Sequence, residues 1–215
     1  MDVSELITEA FRQASQKYLE LHRSWIQVSF RVGGLLPNSL LSMCVQRDGW
    51  LDMVLRSMED EFSVRSQGDK QDPPSMACHF QELLSELWIG SVCQTLRLLI
   101  ERKLAPDTAE FRALAHDLRL LRIPLEKHEI TGKLTQPLQM LRYPPNNDST
   151  DIYEYSKNDP KRAHIMPSGI SQRGSVMWQV LDIMAAEERW IERRALSDRL
   201  LSLWGEAEGG TGSPD

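Results

Sequence analysis

The chain has 215 residues, enough for one domain with a sizeable core. Its 41% hydrophobic and 26% charged residues are the balance of a globular protein, not of a low-complexity or fibrous one. A formal net charge of −6 argues against broad electrostatic binding of nucleic acid and leaves only a local basic patch for that role.

Residues 3–30 predict a long helix. Leu6, Ala10, Ala14, Tyr18 and Leu21 give an apolar face that Trp25 and Val28 continue. Gly33, Gly34 and Pro37 break it, and Asn38 suits the N-cap of a second helix over 39–62. That helix carries Leu40, Leu41, Met43, Cys44, Trp50, Leu51, Val54 and Leu55, with Gly49 weakening its middle by up to about 1 kcal/mol. Residues 63–75 are polar, hold Gly68, Pro73 and Pro74, and read as a linker or mobile loop. A third helix is expected over 76–103. Phe80, Leu84, Leu87, Trp88, Val92, Leu96 and Leu99 give it a broad apolar face, and Gly90 and Ser91 would let a neighbour approach closely.

The fourth helix has the most regular pattern. Phe111, Leu114, Leu118, Leu121 and Leu125 recur at spacings of 3, 4, 3 and 4, and His128 falls on the next step. Asp107 and Thr108, after Pro106, are suitable N-terminal residues. Pro124 is expected to kink or end this helix, because proline lacks a backbone donor and clashes with the preceding turn.

Periodicity then stops. Residues 131–174 contain Pro137, Pro144, Pro145, Pro160 and Pro167, and a loop of that length is unusual unless it packs on the core or carries function. A last long helix is expected over 175–204, with Val176, Met177, Val180, Leu181, Met184 and Ile191 on one face and Glu187, Glu188 and Glu192 on the other. Residues 206–215 read as a disordered tail. The fold class expected is all-α: a single domain over 1–205, a bundle of four to five long helices with one long irregular insertion, 131–174, before the last.

No run of about 18 apolar residues is present, so no membrane-spanning helix is expected. The chain opens with Asp2 and Glu5, unlike a signal peptide, and the widely spaced Cys44, Cys78 and Cys93 read as reduced thiols. A cytoplasmic location follows as the expectation. Cys78 and His79 have no second pair at zinc-like spacing, and no phosphate-loop, dinucleotide-binding, hydrolase or metalloprotease motif occurs. No metal or cofactor is therefore expected.

The chemistry gathers at 117–129, where Arg122 and His128 are separated by five residues. On an ideal helix they stand roughly 120° apart. Histidine can move protons near neutral pH, and arginine can hold a phosphate and its developing charge. Arg119 and Lys127 lie nearby. Lys161, Arg162 and His164 form a second basic group, suited to contacting phosphate or simply to a solvated loop. A plainer reading of the first group is that Arg122 pairs with Glu126 or Glu129 and His128 caps the helix, where the dipole favours a cation.

The Arg122-to-His128 spacing resembles the R-x(4–6)-H signature of HEPN domains, best over 76–129, although Ile123 and Pro124 depart from the usual pattern. The resemblance implies a helical, often dimeric fold whose paired motifs cleave RNA without a metal. Such proteins are often toxins or anti-phage defence components. On that basis Arg122 and His128 are the catalytic candidates. Arg119, Lys127, Lys161, Arg162 and His164 are the substrate-binding candidates, and RNA and a second copy of the chain are the expected partners. Two other readings stand beside it: a non-catalytic helical adaptor, suited by six tryptophans and nine methionines, and a small-ligand bundle lidded by the insertion.

Overall fold

The computed structural model describes residues 2–66, 76–134, 136–142 and 151–205. Most of these are helical. The helices are α1 (Val3–Lys17), α2 (Leu19–Gly34), α3 (Leu41–Ser66), α4 (Met76–Glu101), α5 (Ala109–Lys127) and α6 (Arg193–Gly205). Two small antiparallel sheets accompany them. One pairs β1 (Leu138–Arg142) with β2 (Asp151–Tyr155), and the other runs β3 (Ser168–Ile170), β4 (Val176–Asp182), β5 (Glu187–Glu192) with β4 in the centre.

The expectation of a purely helical chain is therefore corrected in two places. Part of the 131–174 stretch is strand: β1 and β2 pair from Leu138 with Tyr155 to Arg142 with Asp151. The expected last helix is a β-hairpin followed by a short helix. Val176, Trp178, Val180 and Asp182 alternate inward along β4, the period of a half-buried strand. The hairpin turns where Asp182 Oδ1 accepts the N–H groups of Met184 and Ala185 at 3.0 and 3.3 Å. Glu187, Glu188 and Glu192 thus lie on β5, not on a helix face.

The first predicted helix is two. Tyr18 leaves helical geometry, and its hydroxyl donates to Asp60 at 2.5 Å while Lys17 pairs with the same carboxylate at 2.8 Å, tying the junction to α3. Asn38 is left-handed at φ 67°, not in the extended conformation of an N-cap, and α3 begins later than expected and runs through the start of the predicted linker. The rest of that linker, at 67–75, and the tail lie outside the described residues.

The core joins α2–α6 with β4. Trp25, Leu55, Trp88, Leu99, Leu114, Leu118 and Trp178 are fully buried in it. A Cβ on Gly49 would meet the Trp25 ring at 2.5 Å, so α2 and α3 approach closely only because residue 49 is glycine. By length and hydropathy α4 could cross a membrane, yet it packs between α3 and α5 as a bundle's central helix does. Its outer side keeps apolar residues in the open: Phe80 is 53% and Leu87 57% exposed, although both belong to the face expected to be buried.

α3 carries the feature least visible in the sequence. Asp48, Asp52, Arg56 and Glu59 lie on its buried side, at spacings of 4, 4 and 3. Arg193, the first residue of α6, is fully buried, donates to Glu59 at 2.6 and 3.0 Å, and pairs with Asp52. Trp25 Nε1 and Arg56 Nε also donate to Asp52, at 3.0 and 3.1 Å. Arg56 reaches Asp198 at 2.6 Å. Ser175 Oγ donates to Glu59 at 2.8 Å and accepts the Arg194 N–H at 3.1 Å. This ionic core joins α2, α3, the start of β4 and α6.

Candidate functional site

The site is built on α5. Thr108 Oγ1 accepts the Phe111 N–H at 3.1 Å and caps the helix. Phe111, Leu114, Leu118 and Leu121 turn inward, which leaves Arg112, His116 and Arg119 along the outer side at spacings of 4 and 3. Pro124 does not end the helix. The Leu120 carbonyl, which an ordinary residue at 124 would engage, is reached instead by Thr131 Oγ1 at 3.4 Å, and the Arg119 carbonyl by the same hydroxyl at 3.3 Å.

The helix runs on to Lys127, and His128 is its C-cap, left-handed at φ 52°, with its N–H on the Pro124 carbonyl at 2.9 Å. The His128 side chain is exposed. Arg122 Nε donates to Glu126 Oε1 at 2.7 Å. Glu126 raises the guanidinium pKa, with a smaller contribution from the Cys93 thiol. Burial pushes that thiol up, against the pull of Arg122. The plain pairing, Arg122 with Glu126 and His128 as cap, is thus present.

Arg122, Leu125 and Glu126 form one wall of a groove of about 350 Å³, and Leu83, Glu86, Leu87, Gly90 and Ser91 of α4 form the other. Burial first and Glu82 second hold the Glu86 carboxyl above its ordinary range, while the His128 imidazole pulls it back. Arg122 lies in the groove with Glu86, whereas His128 is not among the residues that line it. Past Arg122 the groove continues into a hollow of about 290 Å³ bounded by Arg97, Ile100, Arg119 and Arg122.

The segment between β2 and β3 docks on the end of α5. The His164 N–H donates to the His128 carbonyl at 2.8 Å, Arg162 pairs with Glu129, and the Ile130 N–H donates to the Tyr155 hydroxyl at 3.1 Å. The His164 ring is buried edge-on against Tyr155, with centroids 6.3 Å apart, and burial lowers its pKa. His164 is therefore a packed group and Arg162 an engaged one, whereas Lys161 and Lys127 remain exposed at this end. Arg119 is exposed farther along, beyond Arg122.

Glu86, Lys103, Arg112 and His116 have no place in the sequence-level site. For Arg112, His116 and Arg119 a signal existed, since their spacing marks one face of α5. For Glu86 and Lys103 none did, because only the packing of α4 on α5 brings them near. The three cysteines are free thiols, and among the described residues no three His, Cys, Asp or Glu side chains are grouped as a metal site requires. Comparison with known family models, characterised proteins and solved structures returns no match to this chain.

Proposed function

We propose that the chain is an HEPN-like protein that binds RNA along the α4–α5 groove and cleaves it without a metal. The observation that supports this is Arg122 lining the α4–α5 groove with Glu86, while the exposed His128 caps the same helix six positions on. Arg122 holds the scissile phosphate and steadies its extra negative charge. His128 takes the proton of the adjacent ribose 2′-hydroxyl, whose oxygen attacks phosphorus. The bond from phosphorus to the 5′ oxygen breaks, that oxygen takes a proton from solvent, and a 2′,3′-cyclic phosphate remains. Glu86 steadies the imidazolium that forms.

Arg122 must exchange Glu126 for the phosphate. A solvent-exposed pair of this kind is worth only about 0–1 kcal/mol, so the exchange is cheap. A second copy of the chain would seat on the exposed stripe of Phe80, Leu83 and Leu87 beside the groove and close its open side. The same stripe is the observation that favours the adaptor reading, in which it takes another protein and the groove has no chemistry.

The test is cleavage of single-stranded RNA by the purified chain in EDTA, beside Arg122→Ala and His128→Ala, each first shown folded by circular dichroism. Cleavage lost in both variants is the expected result. Cleavage unchanged in both removes these residues from the reaction. A wild type that is inactive both in EDTA and with added divalent metal leaves the adaptor reading.

A further inference from the structure

A larger hollow opens where α4 ends and α5 begins, and the cleavage chemistry above does not use it. Its volume is about 550 Å³, inside the range of about 300–1,000 Å³ typical of small-molecule sites. Ile100 and Phe111 supply apolar lining, and four basic side chains line it as well: Lys103, Arg112, His116 and Arg119. In a chain of net charge −6, such a gathering is a local basic site of the kind an acidic protein needs for an anion.

Two of the four are engaged. Arg112 pairs with Asp107, which also lines the hollow, and His116 Nε2 hydrogen bonds with Asp182 Oδ2 at 2.6 Å. Lys103 and Arg119 are different: among the described residues neither side chain has a hydrogen bond or an ion pair. Lys103 is also left-handed, at φ 58°, just past the end of α4. Glycine or asparagine ordinarily fills such a position, because a Cβ is strained there. A helix C-terminus favours any cation, but it does not explain two unpaired cations facing one pocket.

The geometry points to a phosphate-binding pocket for a nucleotide. Lys103 and Arg119 hold the phosphate, Arg112 and His116 border it, and the apolar lining takes the ribose or base. Ile100, Ala115 and Arg119 line both this pocket and the hollow beside Arg122, so the two are continuous. Arg112 to Arg122 is about 15 Å of helix, so an RNA strand held at Arg122 brings a phosphate farther along the same strand here. That source of the phosphate rests on the RNA reading above. A free nucleotide is the other source, and the pocket's own chemistry serves both.

The test uses the full chain carrying His128→Ala, so that no probe is cut, with and without Lys103→Asn and Arg119→Gln together. Asparagine tolerates the left-handed position, and thermal unfolding confirms that the fold is kept. Adenosine monophosphate is titrated by calorimetry, and a short fluorescent single-stranded RNA by anisotropy over a range of salt. With RNA as the source, affinity falls about tenfold or more in the double variant. Its log–log salt slope shrinks by about 1.4, roughly 0.7 for each lost contact, and the monophosphate competes. Monophosphate binding lost while RNA binding is unchanged makes the free nucleotide the occupant. Equal binding of both probes by the two proteins, or no binding of either, overturns the pocket. Wild-type cleavage is scored separately, so a chain that never cleaves but loses monophosphate binding on substitution refutes the nuclease and keeps the pocket.

Discussion

Arg122 and Glu126 hold each other across one turn of α5, Nε to Oε1 at 2.7 Å, and both line the groove in which an RNA phosphate would sit. The carboxylate competes for the guanidinium. An exposed i,i+4 pair contributes roughly 0.3–0.5 kcal/mol, so little stability is lost when it opens. On the proposed RNA reading, phosphate would displace Glu126, and Glu126 would set how much of the binding energy is lost in the exchange.

Glu126→Gln is expected to strengthen RNA binding by about two- to fivefold, from a weaker competitor and one fewer negative charge in the groove. Anisotropy titration measures it. A variant that binds RNA more weakly than wild type would make Glu126 a contributor to the site, not a competitor.

Asp48 gives the fold a pH dependence. It is buried on α3 with Ser91 Oγ donating to it at 2.5 Å, and burial pushes its pKa up to about 7, with the serine working the other way. In the unfolded chain an aspartate titrates near about 3.9. Between those values the folded protein holds a proton that the unfolded chain releases, so this group's contribution is full below about pH 4 and falls as pH rises through about 7. Ionising it in the fold costs on the order of 4 kcal/mol. The stability of Asp48→Asn relative to wild type should therefore climb from about pH 4 to about pH 8 in urea unfolding. A difference that stays flat across that range would place Asp48 in contact with water.

What could be read in advance divides along physical lines. α5 was legible because Phe111, Leu114, Leu118 and Leu121 keep one period and Thr108 caps them, all within one local stretch. The β4–β5 hairpin was not. Val176, Met177, Val180 and Leu181 satisfy a helical spacing as well as Val176, Trp178 and Val180 satisfy a strand, and the Asp182 turn that decides between them carries no glycine. The polar residues of α3 were not legible for the opposite reason. Asp48, Asp52, Arg56 and Glu59 look like a solvated helix face, and only Arg193, more than 130 positions along the chain, makes that face a core. Arg122 and His128 could be singled out as candidates from their spacing, whereas Glu86 comes beside Arg122, and Lys103 beside Arg119, through tertiary packing alone.

Arg193 is the substitution expected to cost most. Its side chain and those of Asp52 and Glu59 are all 0% exposed, and Trp88 packs its ring 5.4 Å from the guanidinium carbon. Burial pushes the Glu59 carboxyl up even with Arg193 beside it, and Arg193 with Arg56 brings Asp52 below its ordinary value against the same burial. Removing the cation leaves two carboxylates in the core with less to offset their desolvation. Arg193→Ala is therefore expected to destabilise the fold by about 3–5 kcal/mol at neutral pH. Adding Asp52→Asn and Glu59→Gln should return part of that loss, because neutral amides are far cheaper to bury than unpaired charges. Guanidinium unfolding of the single and triple variants measures both. If the triple variant is less stable than Arg193→Ala alone, the hydrogen bonds of Asp52 to Trp25 and of Glu59 to Ser175, rather than charge balance with Arg193, hold α6 to α3.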